Sequence, residues 1–247
     1  INHFFIGLGR YSIFMFRTFK TISSWNTYFE YSLDQMIKIG VQSIPIVILT
    51  SLFSGMVTSV QAAYQFESGL VPTWFVGSIV GESVLLELAP MMTALVMTGR
   101  IGATITAELG TMRVTEQIDA LESLSFDPIG FLIFPRIFAA IIIFPVLIII
   151  GDLFGILGGM VAAVYAIDEV SVQEFIRGLR EWFRPWDATF GLIKGIFFGF
   201  AITSIACYKG FFIIGGANEV GKATTSTVVI SCVVIVFLDY LLAALLL

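Results

Sequence analysis

The segment AELGTMRVTEQIDALESLSFDP, from Ala107 to Pro128, forms a polar island between two long apolar stretches of the chain. Six of its side chains are charged: Glu108, Arg113, Glu116, Asp119, Glu122 and Asp127. Charges are costly inside a bilayer, so a group this dense must lie in water. A soluble element this short cannot bury a core of its own, and the island therefore predicts contact with another protein.

The rest of the chain has the composition of a membrane protein. Of its 247 residues, 57% are hydrophobic and 13% are charged, and the mean hydropathy is +0.96. A soluble domain carries about 25% charged residues. Several apolar runs exceed the roughly 20 residues that a transmembrane helix requires. We therefore predict an all-α polytopic membrane protein, and the absence of a basic cluster argues against binding to nucleic acid.

The sequence predicts no cofactor or metal bound by this chain. Cys207 and Cys232 lie in apolar context and His3 is the only histidine, so a His/Cys metal centre is not expected. The segment GANEVGKA, from Gly216 to Ala223, is similar to a phosphate-binding loop but has Ala223 where magnesium binding needs Ser or Thr. If ATP drives this protein, we expect a partner ATPase to bind the ATP and Mg²⁺ and to carry out the hydrolysis.

Hydropathy divides this single membrane domain, 1–247, into an interfacial helix, five spans and one cytoplasmic helix. Residues 1–38 carry Arg10, Arg17 and Lys20 at helical spacing among many aromatic side chains, a pattern typical of a helix lying in the headgroup region. The predicted spans are 39–65, 74–106, 128–166, 189–212 and 225–247. Residues 107–127 are the cytoplasmic helix between spans 2 and 3.

Proline marks features inside these spans. Pro90 and Pro145 predict kinks, because proline cannot donate a backbone hydrogen bond. Asp127 followed by Pro128 predicts the N-terminal cap of the third span. The loop 167–188 is predicted to be external and partly helical, with Trp182 to Trp186 as an interfacial anchor.

Cations predict the orientation. Nine of them fall on the side of the N-terminus and the island: Arg10, Arg17, Lys20, Lys38, Arg100, Arg113, Arg136, Lys209 and Lys222. Four fall on the other side: Arg177, Arg180, Arg184 and Lys194. Because Lys and Arg accumulate on the cytoplasmic side, we expect a cytoplasmic N-terminus and an external C-terminus.

Ionisable residues inside spans are candidates for function, because charge is costly there. They are Glu82, Glu87, Asp152, Lys194 and Asp239. Asp152 and Lys194 both fall near the outer surface, and an ion pair between them is the preferred interpretation. Glu87 lies one turn before Pro90, and it either lines a cavity or stabilises helix packing. The sequence does not decide between the two roles for Glu87, nor for Asp239.

The island is predicted to be an amphipathic helix. Its apolar side chains share one helical face: Val114, Ile118, Leu121 and Leu124. Arg113 precedes Glu116 and Gln117 by one turn, a spacing that supports a helix. Such a helix either docks into a soluble motor protein or is solvated without a partner.

At this point the sequence resembles a known family. The run ELAPMMTALVMTGRIGATITAELGTMRVTEQIDALESLSFDPIGFLIFPR, from Glu87 to Arg136, resembles the signature of MlaE-type permeases, the membrane subunits of ABC transporters that work with MCE-domain proteins. The tail GKATTSTVVISCVVIVFLDYLLAALL, from Gly221 to Leu246, is similar to the closing GRATT…VLDFVLT pattern of that family. SGMVTSVQ, from Ser54 to Gln61, and the N-terminal helix also agree, so the resemblance covers nearly the whole chain.

The resemblance implies a homodimer that works with an ABC ATPase, a hexameric MCE-domain protein and often a STAS-domain subunit. It implies lipid as the cargo, mostly phospholipid, moved between the inner membrane of a diderm bacterium and the MCE conduit. A plastid inner envelope is the less favoured location. The permease itself is expected to have no catalytic activity.

The resemblance also assigns site residues. The island becomes a coupling helix in the groove of the ATPase, with these contacts: Glu108, Arg113, Glu116, Gln117 and Asp119. The substrate-binding positions are Thr58, Gln61, Gln65, Glu87 and Met91. Glu87 matches the glutamate of the E-L-x-P motif beside the lipid cavity. Leu86 departs from the family, which often has arginine there, so a headgroup contact by arginine at that position is in doubt.

Two other classes of function remain open. A proton-coupled secondary carrier would use Glu82, Glu87 and Asp239 as proton sites, and many such carriers contain internal repeats, of which none is convincing here. A structural membrane anchor would hold a partner complex without carrying lipid. Dependence on ATP and lipid that co-purifies with the chain distinguish the three classes.

Overall fold

The computed structural model describes residues 2–21, 25–65, 72–166 and 170–247, and regular structure in these ranges is entirely helical. The α-helices are α1 (Asn2–Lys20), α2 (Trp25–Ile39), α3 (Ile44–Gln65), α4 (Phe75–Ser83), α5 (Ala89–Met97), α6 (Ala103–Val114), α7 (Gln117–Ser123), α8 (Phe134–Ala166), α9 (Val172–Glu181), α10 (Pro185–Phe211) and α11 (Ala217–Leu246). Three π-helical turns join some of them: Val84–Leu88, Thr98–Gly102 and Ile129–Ile133.

Five stretches of the described chain are long and apolar enough to cross a membrane, which confirms the predicted all-α class and the number of spans. They are Phe29–Gln65, Phe75–Val114, Ile129–Tyr165, Pro185–Phe211 and Ala217–Leu246. The region expected to form one interfacial helix, 1–38, instead contains α1 and α2, and residues 22–24 between them lie outside the described ranges. From Phe29 onward, α2 belongs to the first candidate span.

Two of the π-helical turns accompany prolines inside spans. Val84–Leu88 is followed by α5, whose second residue is Pro90, and Ile129–Ile133 is followed by α8, whose second residue is Pro135. Proline lacks the N–H that the α-helical ladder needs, and the wider turn accommodates its loss. Pro145, by contrast, lies inside the continuous helix α8.

The polar island is not one helix. The membrane helix continues through α6 to Val114, so the first part of the island belongs to the second span. Glu116 then has a left-handed backbone, with φ 60°, which ends the helical hydrogen-bond ladder. Only α7 forms a further helix. The predicted helix over 107–127 is therefore wrong in its continuity, and the predicted one-turn pairing of Arg113 with Glu116 or Gln117 fails for the same reason.

The predicted cap of the third span is present. Asp127 accepts hydrogen bonds through Oδ1 from the N–H of Ile129 and through Oδ2 from the N–H of Gly130, each 3.2 Å long. A carboxylate at this position satisfies N–H groups that have no partner within the helix.

One compact unit comprises residues 42–96, 144–196 and 239–247. Its helices approach closely at glycines. A Cβ on Gly55 would overlap the carbonyl oxygen of Gly155, and a Cβ on Gly178 of α9 would overlap that of Trp74. These contacts bring backbones together where larger residues would separate the helices.

The loop predicted to be external is partly helical, as expected, because it contains α9. Ser171 and Glu174 form a capping box: Ser171 Oγ accepts from the N–H of Glu174, and Glu174 Oε2 accepts from the N–H of Ser171, each over 3.2 Å. The ring of Trp182 lies 5.4 Å from that of Phe75. A role for Trp182 to Trp186 as a membrane anchor stays a prediction.

The other compact unit comprises residues 1–41, 97–143 and 197–238. In it α1 packs on α10 through aromatic side chains. Phe14 is 2% exposed, and its ring lies 5.7 Å from that of Tyr208 and 5.8 Å from that of Phe211. Tyr11 Oη donates a 2.7 Å hydrogen bond to Ser204 Oγ. These contacts hold α1 against the second half of α10.

Candidate functional site

Three charged side chains meet inside the spans of the unit that comprises residues 42–96, 144–196 and 239–247. Lys194 Nζ donates a 2.6 Å hydrogen bond to Glu87 Oε2 and lies 2.6 Å from Asp239 Oδ1. Glu87 comes from the π-helical turn before α5, Lys194 from α10 and Asp239 from α11. We call these three residues the charged cluster. It joins three helices that are distant in sequence.

Pro90 explains why a lysine is placed here. The carbonyl of Leu86, four residues earlier, would accept the N–H of residue 90 in an α-helix, and proline has none. Lys194 Nζ donates a 2.9 Å hydrogen bond to this carbonyl oxygen. The proline therefore frees a backbone acceptor, as the sequence predicted, and the structure shows that Lys194 binds it.

The expected ion pair between Asp152 and Lys194 is wrong. Asp152 is 9% exposed, and its Oδ1 has no hydrogen-bond partner among the described residues. Lys194 is engaged by Glu87 and Asp239 instead. Which aspartate pairs with Lys194 depends on the helix face that each aspartate occupies when the spans pack. Hydropathy does not reveal that face.

Solvent exposure divides the charged cluster into a buried and an open part. The side chain of Lys194 is 0% exposed, that of Asp239 is 12% exposed and that of Glu87 is 45% exposed. A buried ammonium is tolerated only when carboxylates and other acceptors replace its water. The ring of Phe190 adds a cation–π contact, 4.8 Å from Nζ. Glu87 is thus both held by the lysine and accessible from outside the chain.

The predicted substrate-binding residues on α3 belong to a polar stripe, which we define by its members: Thr50, Ser54, Thr58, Gln61 and Gln65. Their spacing of three or four residues places them on one helical face. Thr58 Oγ1 donates to the carbonyl of Ser54 over 2.8 Å, whereas the side chains of Gln61 and Gln65 are exposed and have no hydrogen-bond partner among the described residues. An exposed amide is poorly accommodated by acyl chains, so this face of α3 suits water or another chain.

Glu87 and the polar stripe lie at different depths of the unit. A Cβ on Gly155 would lie 2.9 Å from Val84 Cγ1 and 3.5 Å from the carbonyl oxygen of Ser51, so Val84 and Ser51 share one level. The chain runs in opposite directions through these two spans, so Glu87 lies to one side of this level and Thr58 to the other. At 1.5 Å per residue, Thr58 is about 10 Å beyond Ser51. Met91 lies one turn beyond Glu87 and is half-buried.

The predicted coupling residues surround the break between α6 and α7. Arg113 Nη1 donates to Asp119 Oδ1 over 2.6 Å and so bridges the two helices. Glu116 and Gln117, at the break itself, are exposed. We call residues 113–119 the elbow. Of its charged side chains, Glu116 and Asp119 are exposed and Arg113 is half-buried.

Glu108 plays a different part. Its Oε2 accepts a 3.0 Å hydrogen bond from Arg136 Nη2, and Arg136 also donates through Nη1 to the carbonyl of Leu132 over 2.8 Å. The side chain of Arg136 is 8% exposed. This pair ties α6 to α8 below the elbow. Sequence reasoning missed Arg136, although an arginine inside a predicted span calls for an acidic partner.

Comparison with known proteins agrees with this architecture. The family model described as Permease MlaE matches residues 32–245. A probable ABC transporter permease protein of Rickettsia bellii is 40% identical over 238 residues, which cover 96% of this chain and 91% of the relative. The intermembrane phospholipid transport system permease protein MlaE of Haemophilus influenzae is 35% identical over 243 residues, which cover 98% and 92%. Protein TRIGALACTOSYLDIACYLGLYCEROL 1, chloroplastic, of Arabidopsis thaliana is 36% identical over 215 residues, which cover 86% and 60%. The chain described here therefore belongs to the MlaE permease family.

Proposed function

We propose that this chain is the membrane subunit of an ATP-driven phospholipid transporter. Family membership supports the permease role, and the names of the Rickettsia and Haemophilus relatives support the ABC transporter and the phospholipid cargo. The chain catalyses no reaction, and a partner ABC ATPase binds ATP and Mg²⁺.

The charged cluster is the observation that carries the proposal. A span that only anchors a complex has no need of a half-exposed carboxylate held by a wholly buried lysine. We place Glu87 at the inner end of a lipid path, with Met91 beside it. Thr58, Gln61 and Gln65 line the path further along α3. With Leu86 in place of the arginine frequent in relatives, a bound headgroup meets a carboxylate here rather than a guanidinium.

The elbow is the proposed contact with the ATPase, through Arg113, Glu116, Gln117 and Asp119. Movement of the ATPase would pass through α6, which is continuous with the second span, and reach Glu87 on the same span. Glu108 would act through its ion pair with Arg136 rather than by contact. Because Arg113 and Asp119 hold the two helices together, the elbow can transmit force as one body.

The proposed assembly is a homodimer of this chain with two ATPase copies. An MCE-domain protein, expected to be a hexamer, lies on its outer side, and some systems add a STAS-domain subunit. The exposed amides of Gln61 and Gln65 favour contact between this face of α3 and either a second copy of the chain or a water-filled path. The proposed location is the inner membrane of a diderm bacterium, with the N-terminus in the cytoplasm and the C-terminus in the periplasm. The chloroplastic relative keeps a plastid envelope as the less favoured location.

Substitution of Glu87 tests the lipid path. Glu87→Gln removes the charge but keeps an acceptor for Lys194. We expect phospholipid that co-purifies with the chain, and ATP-driven lipid transfer in proteoliposomes, to fall about tenfold, as for the loss of one charge-assisted contact worth about 1.4 kcal/mol. Quantitative lipid mass spectrometry of the purified complex measures the first and a fluorescent-lipid assay the second.

Glu82→Gln is the matched control. Glu82 lies on the same span but lines another cavity, of about 360 Å³, beside α9. Unchanged lipid content and transfer in Glu87→Gln would refute the proposed path. If transfer instead persists without the ATPase, responds to a proton gradient and falls in Glu82→Gln, the chain is the alternative, a proton-coupled carrier.

A further inference from the structure

A second cavity, of about 580 Å³, lies in the unit that contains α1 and the elbow. Its wall is formed by α1, by the island with the start of the third span, and by the end of α10 with the turn that follows it. Its charged lining residues are Arg10, Arg17, Arg113, Glu122 and Asp127. We call it the arginine cavity after the three arginines among them. None of the proposed lipid-path residues belongs to it.

The charges of this wall are not balanced. Arg113 is paired with Asp119, and Asp127 is occupied by the N–H groups at the start of the third span. Arg10 and Arg17 are exposed, and neither forms an ion pair with a described residue. Glu122, which is exposed, is the one remaining acidic side chain of the wall. Arg10 and Arg17 therefore face this cavity without an ion-pair partner, and of the two carboxylates in the wall only Glu122 is not already bound by backbone N–H groups.

Arg10 and Arg17 are two helical turns apart and share one side of α1. Between them, Phe14 is buried against α10 and Ile13 is 59% exposed. The apolar surface continues on the opposite wall, where Phe212 is 51% exposed and Ile214 is 92% exposed. In a lipid leaflet, phosphates and acyl chains meet at the boundary of the headgroup region. Guanidinium groups bordered by exposed apolar side chains on an interfacial helix suit that boundary.

We propose that the arginine cavity binds the phosphate of an anionic phospholipid from the adjacent leaflet, as a resident lipid rather than as cargo. Planar guanidinium groups bind phosphate oxygens in pairs, and basic pockets near the cytoplasmic ends of spans recruit anionic headgroups. The exposed Ile13, Phe212 and Ile214 would contact the acyl chains of the lipid. A free phosphate or a nucleotide would leave these three apolar side chains exposed to water. Because Arg113 and Glu122 share the wall, the bound lipid joins α1 to the elbow.

The binding test uses the full chain in detergent and native mass spectrometry with added phosphatidylglycerol or phosphatidylcholine. The double variant Arg10→Gln, Arg17→Gln is compared with wild type. We expect wild type to retain phosphatidylglycerol in preference to phosphatidylcholine. The variant should lose this preference by about 25-fold, since each of the two cations near an anionic lipid contributes a factor of about five. Both substitutions are at exposed positions, and an unchanged unfolding temperature without added lipid shows that the fold is intact.

Lys20→Gln is the matched control, because Lys20 is an exposed cation of α1 outside the cavity wall. An equal loss in Lys20→Gln would reduce the effect to general surface charge and overturn the proposal. Displacement of the lipid by millimolar inorganic phosphate would show a phosphate site that is not built for lipid. If the double variant loses ATPase binding while its phosphatidylglycerol preference is unchanged, the cavity is part of the ATPase surface instead. Failure of the Glu87→Gln experiment bears on none of these results.

Discussion

Lys194 has no exposed surface, yet it carries a charge inside a membrane-spanning helix. The cause lies on another helix, where Pro90 leaves the carbonyl of Leu86 without its usual donor. Once a lysine fills that position, carboxylates must accompany it, because an unpaired ammonium in this environment costs several kcal/mol. Glu87 and Asp239 meet this need, and Glu87 retains an exposed side. The proline thus leaves free one of the three oxygens that lie within 3 Å of Lys194 Nζ.

The substitution Lys194→Met tests this account. Methionine has similar length but leaves two carboxylates without a counter-ion and the carbonyl of Leu86 without its donor. We expect the free energy of unfolding to fall by about 3 kcal/mol, the loss typical of one partner removed from a buried ion pair. Denaturant titration of the purified chain in detergent measures it.

Lys209→Met on the same helix is the control for Lys194→Met. Lys209 lies in the last turn of α10 and belongs to no ion pair among the described residues. Its substitution should change stability by about 0.5 kcal/mol or less. Equal effects of the two variants would show that the charged cluster contributes nothing specific.

At the scale of single elements, the break between α6 and α7 is the feature that the sequence concealed. The apolar spacing of Val114, Ile118 and Leu121 predicted a continuous helix, and no Gly or Pro signals the interruption. The structure places Glu116 in a left-handed conformation that glycine tolerates far better than glutamate. In compensation, Arg113 reaches across the break to Asp119. A strained residue at a proposed docking surface is consistent with a functional constraint on shape.

The pair Glu116→Gly and Glu116→Val separates the shape of the elbow from its charge. Both variants lose the carboxylate, but only glycine adopts φ 60° without strain, and a β-branched residue is the least compatible. We expect the island to be cleaved by a dilute protease about fivefold faster in Glu116→Val than in Glu116→Gly, which corresponds to about 1 kcal/mol. Equal cleavage rates would contradict the left-handed turn. Loss of ATPase binding in both variants would assign the contact to the charge.

Most of the architecture could be predicted, because each span is a separate apolar run and needs no knowledge of its neighbours. The exposed island and the cap at Asp127 could be predicted for the same reason. The charged cluster could not, since Glu87 and Lys194 are far apart in sequence and their meeting depends on the rotation of two helices. Asp152 and Asp239 are equally plausible partners until those rotations are known. Chemistry carried by one helix could be predicted, and chemistry shared between helices could not.

For the whole molecule, the distribution of cations bears on orientation. The unit containing α1, the island and the start of α11 holds nine of the thirteen Lys and Arg residues, and the unit containing α9 holds four. These two sets of residues are the same as the two predicted sides, and the orientation itself stays a prediction. The predicted orientation, with the two ends on opposite sides, requires an odd number of crossings, and the described chain has five candidate spans.

Reporter fusions test this orientation, because alkaline phosphatase is active only outside the cytoplasm. Fused after Leu247 it should be active, and fused after Ser123 in α7 it should be inactive, since Lys and Arg near span ends are retained in the cytoplasm. The unit with nine cations includes α7, so retention of α7 in the cytoplasm is the stronger of the two expectations. A reporter active only in cytoplasm, fused at the same two positions, must give the reverse pattern. Phosphatase activity after Ser123 would place the elbow outside the cell, where no ATPase could reach it, and would overturn the coupling role along with the orientation.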